Sequence, residues 1–266
     1  RLPLNADKNT VGVGVQHYLN HIGKPQQGVE IELYKKMPIG SGLGSSSAST
    51  SAGLVAINRL FNNLLTPREL IPFAMQGEEI ACGSAHADNV APAILGGFVL
   101  IRSYQPLDII QLPYPDNLHC AIIFPHVDVP TRDARQMIRN SVLLKDAVTQ
   151  WGNIAGLVSG LFMKDKALLG RSMQDVLIEP ARAILIPDFY VMRQIAMKNG
   201  ALGFGISGSG PSVFAFTDSA EIAHRINTKI QQHLQTLSIT SNCYHSLINA
   251  SGPQVLVNKN INAITV

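Results

Sequence analysis

The sequence predicts a mixed α and β protein, of α/β or α+β type, arranged as two domains. Three observations lead there. Strand-type alternation and helix-type spacing of apolar residues both occur in each half of the chain. A Pro-spaced stretch, QPLDIIQLPYPDN (105–117), separates the halves and reads as the domain junction. At 266 residues, 46% hydrophobic and 15% charged, the chain is long for a single core and suits two modest ones.

Taken in order, VEIELY (29–34) sets Val29, Ile31 and Leu33 against Glu30 and Glu32, the alternation of a half-buried strand. Leu54, Ile57 and Phe61 recur at helical spacing and predict a helix running to about Asn62. TPRELIPFAMQGEEIACG predicts a second helix, with Thr66 as its N-cap and Pro67 at its first position. AILGGFVLI (93–101) reads as a buried strand. The second half opens with a strand, LHCAIIF (118–124), and a turn, PHVDVPT, before helical patterns that continue to about residue 199. GALGFGISGSGPSVFAFT (200–217) then predicts strand, glycine turn and strand, and DSAEIAHRINTKIQQHL (218–234) an amphipathic helix.

Several function classes fall away on composition. The net charge is +3 without a run of Lys or Arg that would track a phosphate backbone, so no nucleic acid partner is expected. The longest apolar runs, such as APAILGGFVLI (91–101), are too short for a bilayer span, so no membrane partner is expected either. Cys82, Cys120 and Cys243 have no disulfide-framework spacing, which suits a reducing, cytoplasmic setting. The opening, RLPLNADKNT, carries neither Met nor an apolar strand and predicts a segment ahead of it.

The most informative stretch is MPIGSGLGSSSASTSAG (37–53). From Gly40 to Gly53 every residue but Leu43 is Gly, Ser, Ala or Thr. Glycines at 40, 42 and 44 let the backbone take positive φ and approach a ligand closely. The serines that follow lie where a helix start offers unpaired N–H groups and the positive end of its dipole. Such a combination suits a phosphate-bearing ligand. A tight turn feeding a small-residue helix packed on a sheet would produce the same composition. A P-loop is excluded, because Gly44 is followed by Ser45, Ser46 and Ser47 where that loop needs Lys. The dinucleotide fingerprint is excluded by the Gly-x-Gly-x-Gly spacing.

PIGSGLGSSSAS (38–49) resembles the phosphate-binding motif of the GHMP kinases, and GFGISGSGPS (203–212) resembles that family's C-terminal glycine motif. GEEIACGSAHADNVAPAILGG (77–97), TRDAR (131–135) and EPAR (179–182) resemble the homoserine kinase branch more than its sister branches. The likeness runs through essentially the whole chain, except that the family's first motif, on an N-terminal strand, is missing. It implies an α+β sandwich of two domains: an ATP-binding domain at 1–115, ribosomal-protein-S5-like and lacking its first strands, and a ferredoxin-like domain at 116–266.

The resemblance also implies roles. ATP would lie on Pro38, Ile39, Gly40, Ser41, Gly42, Leu43, Gly44, Ser45, Ser46 and Ser47, with Ser46 and Glu78 contacting Mg2+. Oxygen ligands suit that hard cation. On helical position alone Glu78 reads as a solvated glutamate like its neighbour Glu79. His86 and Asn89 would contact the substrate, L-homoserine, with Asn89 also close to the chemistry; on the residues alone, His86, Asp88 and Asn89 read equally as a turn with local hydrogen bonds. A Cys82–His86 zinc site lacks its second ligand pair. Arg135 and Arg182 suit a small carboxylate, which a guanidinium holds through two parallel hydrogen bonds; a surface ion pair is the ordinary alternative. Thr131 reads as a helix N-cap, and the resemblance also places it near the transferring phosphoryl group. Gly208 and Gly210 would shape and support the nucleotide loop, and a glycine hairpin between two strands accounts for them equally. The implied reaction is direct phosphoryl transfer from MgATP in threonine biosynthesis, with a homodimer among the assemblies the resemblance allows.

Overall fold

The structure is a computed structural model that describes residues 2–127, 138, 141–258 and 263–265. Its helices form where apolar residues fall on one stripe and a polar residue stands ready to cap. Helix α1 (Thr10–His21) is capped by the Asn9 side chain, which accepts from the Val11 N–H, and buries Val11, Val15, Tyr18 and Leu19. Helix α2 (Ser45–Leu60) buries Leu54 and Ile57. Helix α3 (Pro67–Cys82) starts at Thr66 as anticipated, within a full capping box. Thr66 Oγ1 accepts from the Glu69 N–H at 3.4 Å, and Glu69 Oε2 accepts from the Thr66 N–H at 2.7 Å. These three helices and α4 (Val90–Leu95) share one core around Tyr18, Leu54, Leu70 and Val90.

Within that core Asn58 does the work of a buried linker. It accepts from Tyr18 OH at 3.0 Å and from Leu65 N–H at 3.1 Å, and it donates to Leu65 O at 2.8 Å. Asn58→Ala leaves all of these partners to find others in a dry setting, so unfolding in denaturant should show a loss of about 2 kcal/mol. An unchanged midpoint would mean that water replaces the amide there.

Two sequence expectations need correction. AILGGFVLI is not one strand: its first residues complete α4, the chain turns at Gly96 and Gly97 with φ of 75° and 63°, and only Phe98 onward is extended. A short apolar run fits either element, and the Gly pair decides where the helix stops. VEIELY is not in a sheet: residues 27–36 carry no strand, and Val29, Ile31 and Leu33 are 38, 41 and 37% exposed. Alternation specifies which face of a strand is apolar but supplies no ladder partner, and no described strand pairs with this segment.

The remaining strands are antiparallel. β1 (Phe98–Tyr104) and β2 (Leu107–Leu112) form one two-stranded sheet, and β7 (Leu256–Asn258) and β8 (Ala263–Thr265) another. β3 (His119–Pro125), β4 (Gly203–Ile206), β5 (Val213–Thr217) and β6 (Ser241–Leu247) form a four-stranded sheet in the order β4-β5-β3-β6, with Ala121 opposite Ala215 on one side and His245 on the other. Helices α5 (Leu144–Phe162), α6 (Lys166–Ser172), α7 (Glu179–Arg182), α8 (Phe189–Lys198) and α9 (Ala220–Thr236) belong to the same half. Ile226, Ile230 and Leu234 of α9 and Phe189 and Met192 of α8 close its core over Ile123, Val213 and Ala215. Helices set against antiparallel sheet make the class α+β.

Two compact units result. The first comprises residues 1–39, 44–111 and 249–266, and the second residues 40–43 and 112–248. Among the described residues no helix is long and apolar enough to cross a membrane.

Candidate active site

In the first unit the glycine-serine stretch becomes a helix start. Gly44 sits at φ 72° as the N-cap of α2, and the first intrahelical bond is Ala48 N–H to Gly44 O at 2.9 Å. The amides of Ser45, Ser46 and Ser47 therefore come before the helical ladder, where the helix dipole favours an anion. Pro38 and Ile39 lead in, with Ile39 66% exposed. Ser45 Oγ donates to Met37 O at 3.0 Å and closes the stretch onto its own entry.

Ser46 Oγ donates to Glu78 Oε2 at 2.9 Å across a separation of 32 residues. Glu78 is 4% exposed, unlike its exposed neighbour Glu79, so helical position alone misread it. Its other oxygen, Oε1, is buried with no hydrogen-bond partner. The adjacent Gly77 allows α3 to come this close: a Cβ there would lie 2.5 Å from Thr10 O and 2.7 Å from Thr50 Cγ2. Lys35, which sequence reasoning passed over, donates through Nζ to Ser45 O at 2.6 Å and Ser49 Oγ at 2.8 Å. Burial lowers the pKa of its ammonium, and the charge of Glu78 opposes that shift.

Asn89 lies against the same turn, since a Cβ on Gly44 would be 3.4 Å from its Oδ1. His86 is exposed; its Nε2 is 2.7 Å from Ser84 Oγ and its ring meets Tyr104 edge-on at 6.4 Å. Tyr104 OH also accepts from the Ala87 N–H at 3.3 Å, which anchors the turn carrying His86. Ser46, Glu78, Asn89 and the α2 amides thus share one neighbourhood.

In the second unit the other part of the loop, residues 40–43, meets the C-terminal glycine turn. Ser212 N–H donates to Ser41 O at 3.1 Å and Ser207 Oγ to Gly42 O at 2.9 Å. Gly42 has φ 79°, and a Cβ there would lie 2.5 Å from Ser207 O and 2.7 Å from Gly210 O. Leu43 N–H bonds back to Ser41 Oγ at 3.3 Å. Gly208 and Gly210 also take positive φ, 56° and 81°. Arg182, half-buried at the end of α7, donates through Nη1 to Gly208 O at 2.9 Å.

Helix α7 is itself pinned. Glu179, 6% exposed, forms an ion pair with Arg193, whose guanidinium lies 5.1 Å from the Phe189 ring centroid and 5.9 Å from that of Tyr190. Burial raises the Glu179 pKa and the arginine opposes it. A cavity of about 330 Å³ adjoins this pair, lined by Met173, Asp175, Tyr190 and Phe204 among others. The 14-residue separation of Glu179 and Arg193 left no local signal in the sequence.

Thr131 and Arg135 lie outside the described residues. Among the described residues, no group of three or more His, Cys, Asp or Glu side chains gathers as a metal cluster.

Comparison with known proteins finds one family in both halves of the sequence. Residues 9–97 match the GHMP kinases N terminal domain and residues 155–235 the GHMP kinases C terminal domain. A homoserine kinase of Chlorobium phaeobacteroides (strain BS1) is 47% identical over 262 residues, covering 96% of this chain and 82% of its own length. That of Chlorobium phaeovibrioides (strain DSM 265 / 1930) is 48% identical over 263 residues, with the same coverage of 96% and 82%. Among solved structures, the homoserine kinase from Cytophaga hutchinsonii ATCC 33406 is 54% identical with a TM-score of 0.93, over 96% of this chain and 81% of that one.

Proposed function

The chain belongs to the GHMP kinase family, on its homoserine kinase branch, and from that premise we propose that it transfers the γ-phosphoryl group of ATP to the side-chain hydroxyl of L-homoserine. The product is O-phospho-L-homoserine. The observation that carries the reading is the likeness to homoserine kinases through both halves of the chain.

The α2 amides and residues 38–44 take the ATP phosphates in this reading. Ser46 and Glu78 hold Mg2+, and the buried, unpartnered Glu78 Oε1 supports that fit because a hard cation satisfies such an oxygen. When bound, the ion neutralises charge on the phosphates. Everything else falls to positioning. Phosphoryl transfer passes through a loose transition state, so holding the hydroxyl in line supplies roughly 7–11 kcal/mol without a covalent intermediate. Asn89 and His86 orient the homoserine hydroxyl and backbone. Ser84 engages His86 Nε2, so contact with the substrate falls to Nδ1. Arg182 and Arg135 take the carboxylate, and Thr131 stands beside the transferring group. Gly208 and Gly210 keep the loop in shape through the Ser207–Gly42 and Ser212–Ser41 bonds. No side chain is assigned as a base.

Coupled ADP release tests the reading with L-homoserine, with mevalonate and with no acceptor. Release with homoserine alone is the expected result. Release with mevalonate but not homoserine would overturn it, and nucleotide binding without turnover on either would make the chain a sensor. For the metal, Glu78→Gln keeps the shape and the Ser46 bond but removes the charge. The Mg2+ needed for half-maximal turnover should rise about tenfold; an unchanged Mg2+ titration would remove Glu78 from the metal set.

A further inference from the structure

We propose that Lys35 is the resident cation of the phosphate loop, a positioning residue that holds the first turn of α2 ready for an anion; this rests on the ATP reading of that loop. Its ammonium bonds Ser45 O at 2.6 Å and Ser49 Oγ at 2.8 Å, and Ser45 is the first residue of α2. A cation is therefore held at the positive end of a helix, where the dipole favours anions and opposes cations. It is also half withdrawn from water, which disfavours its charge, as its lowered pKa reflects. One residue thus breaks two local rules, and such positions are where function accounts for the structure.

Glu78 offsets part of this cost, but only part. One of its oxygens is already occupied by Ser46, and the other is buried without a hydrogen bond. The ligand that balances Lys35, the dipole and the unladdered amides together is a polyphosphate. The glycine loop itself has no lysine, unlike a P-loop. Here the positive charge comes from the segment ahead of the loop and acts through the helix. Lys36, next in the chain, is exposed and provides a control with the same formal charge.

ADP binding by calorimetry, with Mg2+ and with EDTA, tests this alongside steady-state kinetics. Lys35→Met should weaken ADP binding about tenfold even in EDTA and raise the MgATP KM by a similar factor, with kcat and the homoserine KM within about twofold. Lys35→Arg should recover most of the loss, and Lys36→Met should lose nothing. The proposal is overturned if Lys35→Met binds ADP as the parent does, or if Lys36→Met weakens binding equally. It is also overturned if Lys35→Met lowers Tm and binding together and Lys35→Arg restores neither, because Lys35 is then only a strap. A parent chain that fails to bind ADP would instead defeat the ATP reading.

Discussion

Arg182→Ala should raise the KM for L-homoserine by about 100-fold while leaving that for MgATP within about threefold. The expectation comes from geometry as well as charge. The Gly208 carbonyl fixes the guanidinium through Nη1, and the ion pair of buried Glu179 with partly exposed Arg193 fixes the short helix that carries it. A preset fork recognises a carboxylate through two parallel bonds, and truncation removes that fork and leaves the carboxylate to Arg135 alone. Arg182→Lys restores the charge but not the fork, so it should recover only part of the loss. An equal rise in both KM values would refute the carboxylate assignment.

Gly42→Ala is the second large effect, and it acts on the nucleotide side. The substitution meets the backbone cost of φ 79° and forces a Cβ onto two backbone oxygens, Ser207 O and Gly210 O, at 2.5 and 2.7 Å. Backbone atoms cannot swing aside, so the loop must separate from the glycine turn and lose the Ser207–Gly42 bond. A stability loss of about 3 kcal/mol is expected in denaturant unfolding, accompanied by a raised KM for MgATP. Gly40→Ala separates the two costs. Gly40 shares the positive φ, at 69°, but has nothing within 4 Å of its would-be Cβ. It should therefore lose only about 1 kcal/mol. Equal losses at 40 and 42 would show that conformation, not contact, decides.

Much of this was legible in the sequence because its causes are local. The Thr66 capping box, the glycine start of α2 and the strand-turn-strand at 203–217 each depend on residues a few positions apart. Helix α1 was missed because Gly12, Gly14 and its valines depress helix propensity, and only packing against α2 and α3 sustains it. Glu78 shows the limit on the functional side. Helical position could not tell it from Glu79, because burial there depends on Ser46 and on the space left by Gly77. Lys35 directly follows an alternating pattern that promised a strand, and nothing local marks it out. The glycine loop was readable as an anion site, but its attachment to residues 207–212 spans 165 positions and belongs to the tertiary fold.

The return of residues 249–258 to the first unit has a consequence for the order of synthesis. Gly97 N–H bonds Asn249 O at 2.7 Å, and Gly252 passes so near Ile94 that a Cβ would fall 1.8 Å from its carbonyl oxygen. The second unit, apart from the four residues 40–43, is one continuous stretch of chain and is complete once Ile248 has emerged. Domains usually finish in the order they are made. Here the half that is translated before the second unit must wait, with the α4 edge uncovered, for residues 249–258 to leave the ribosome.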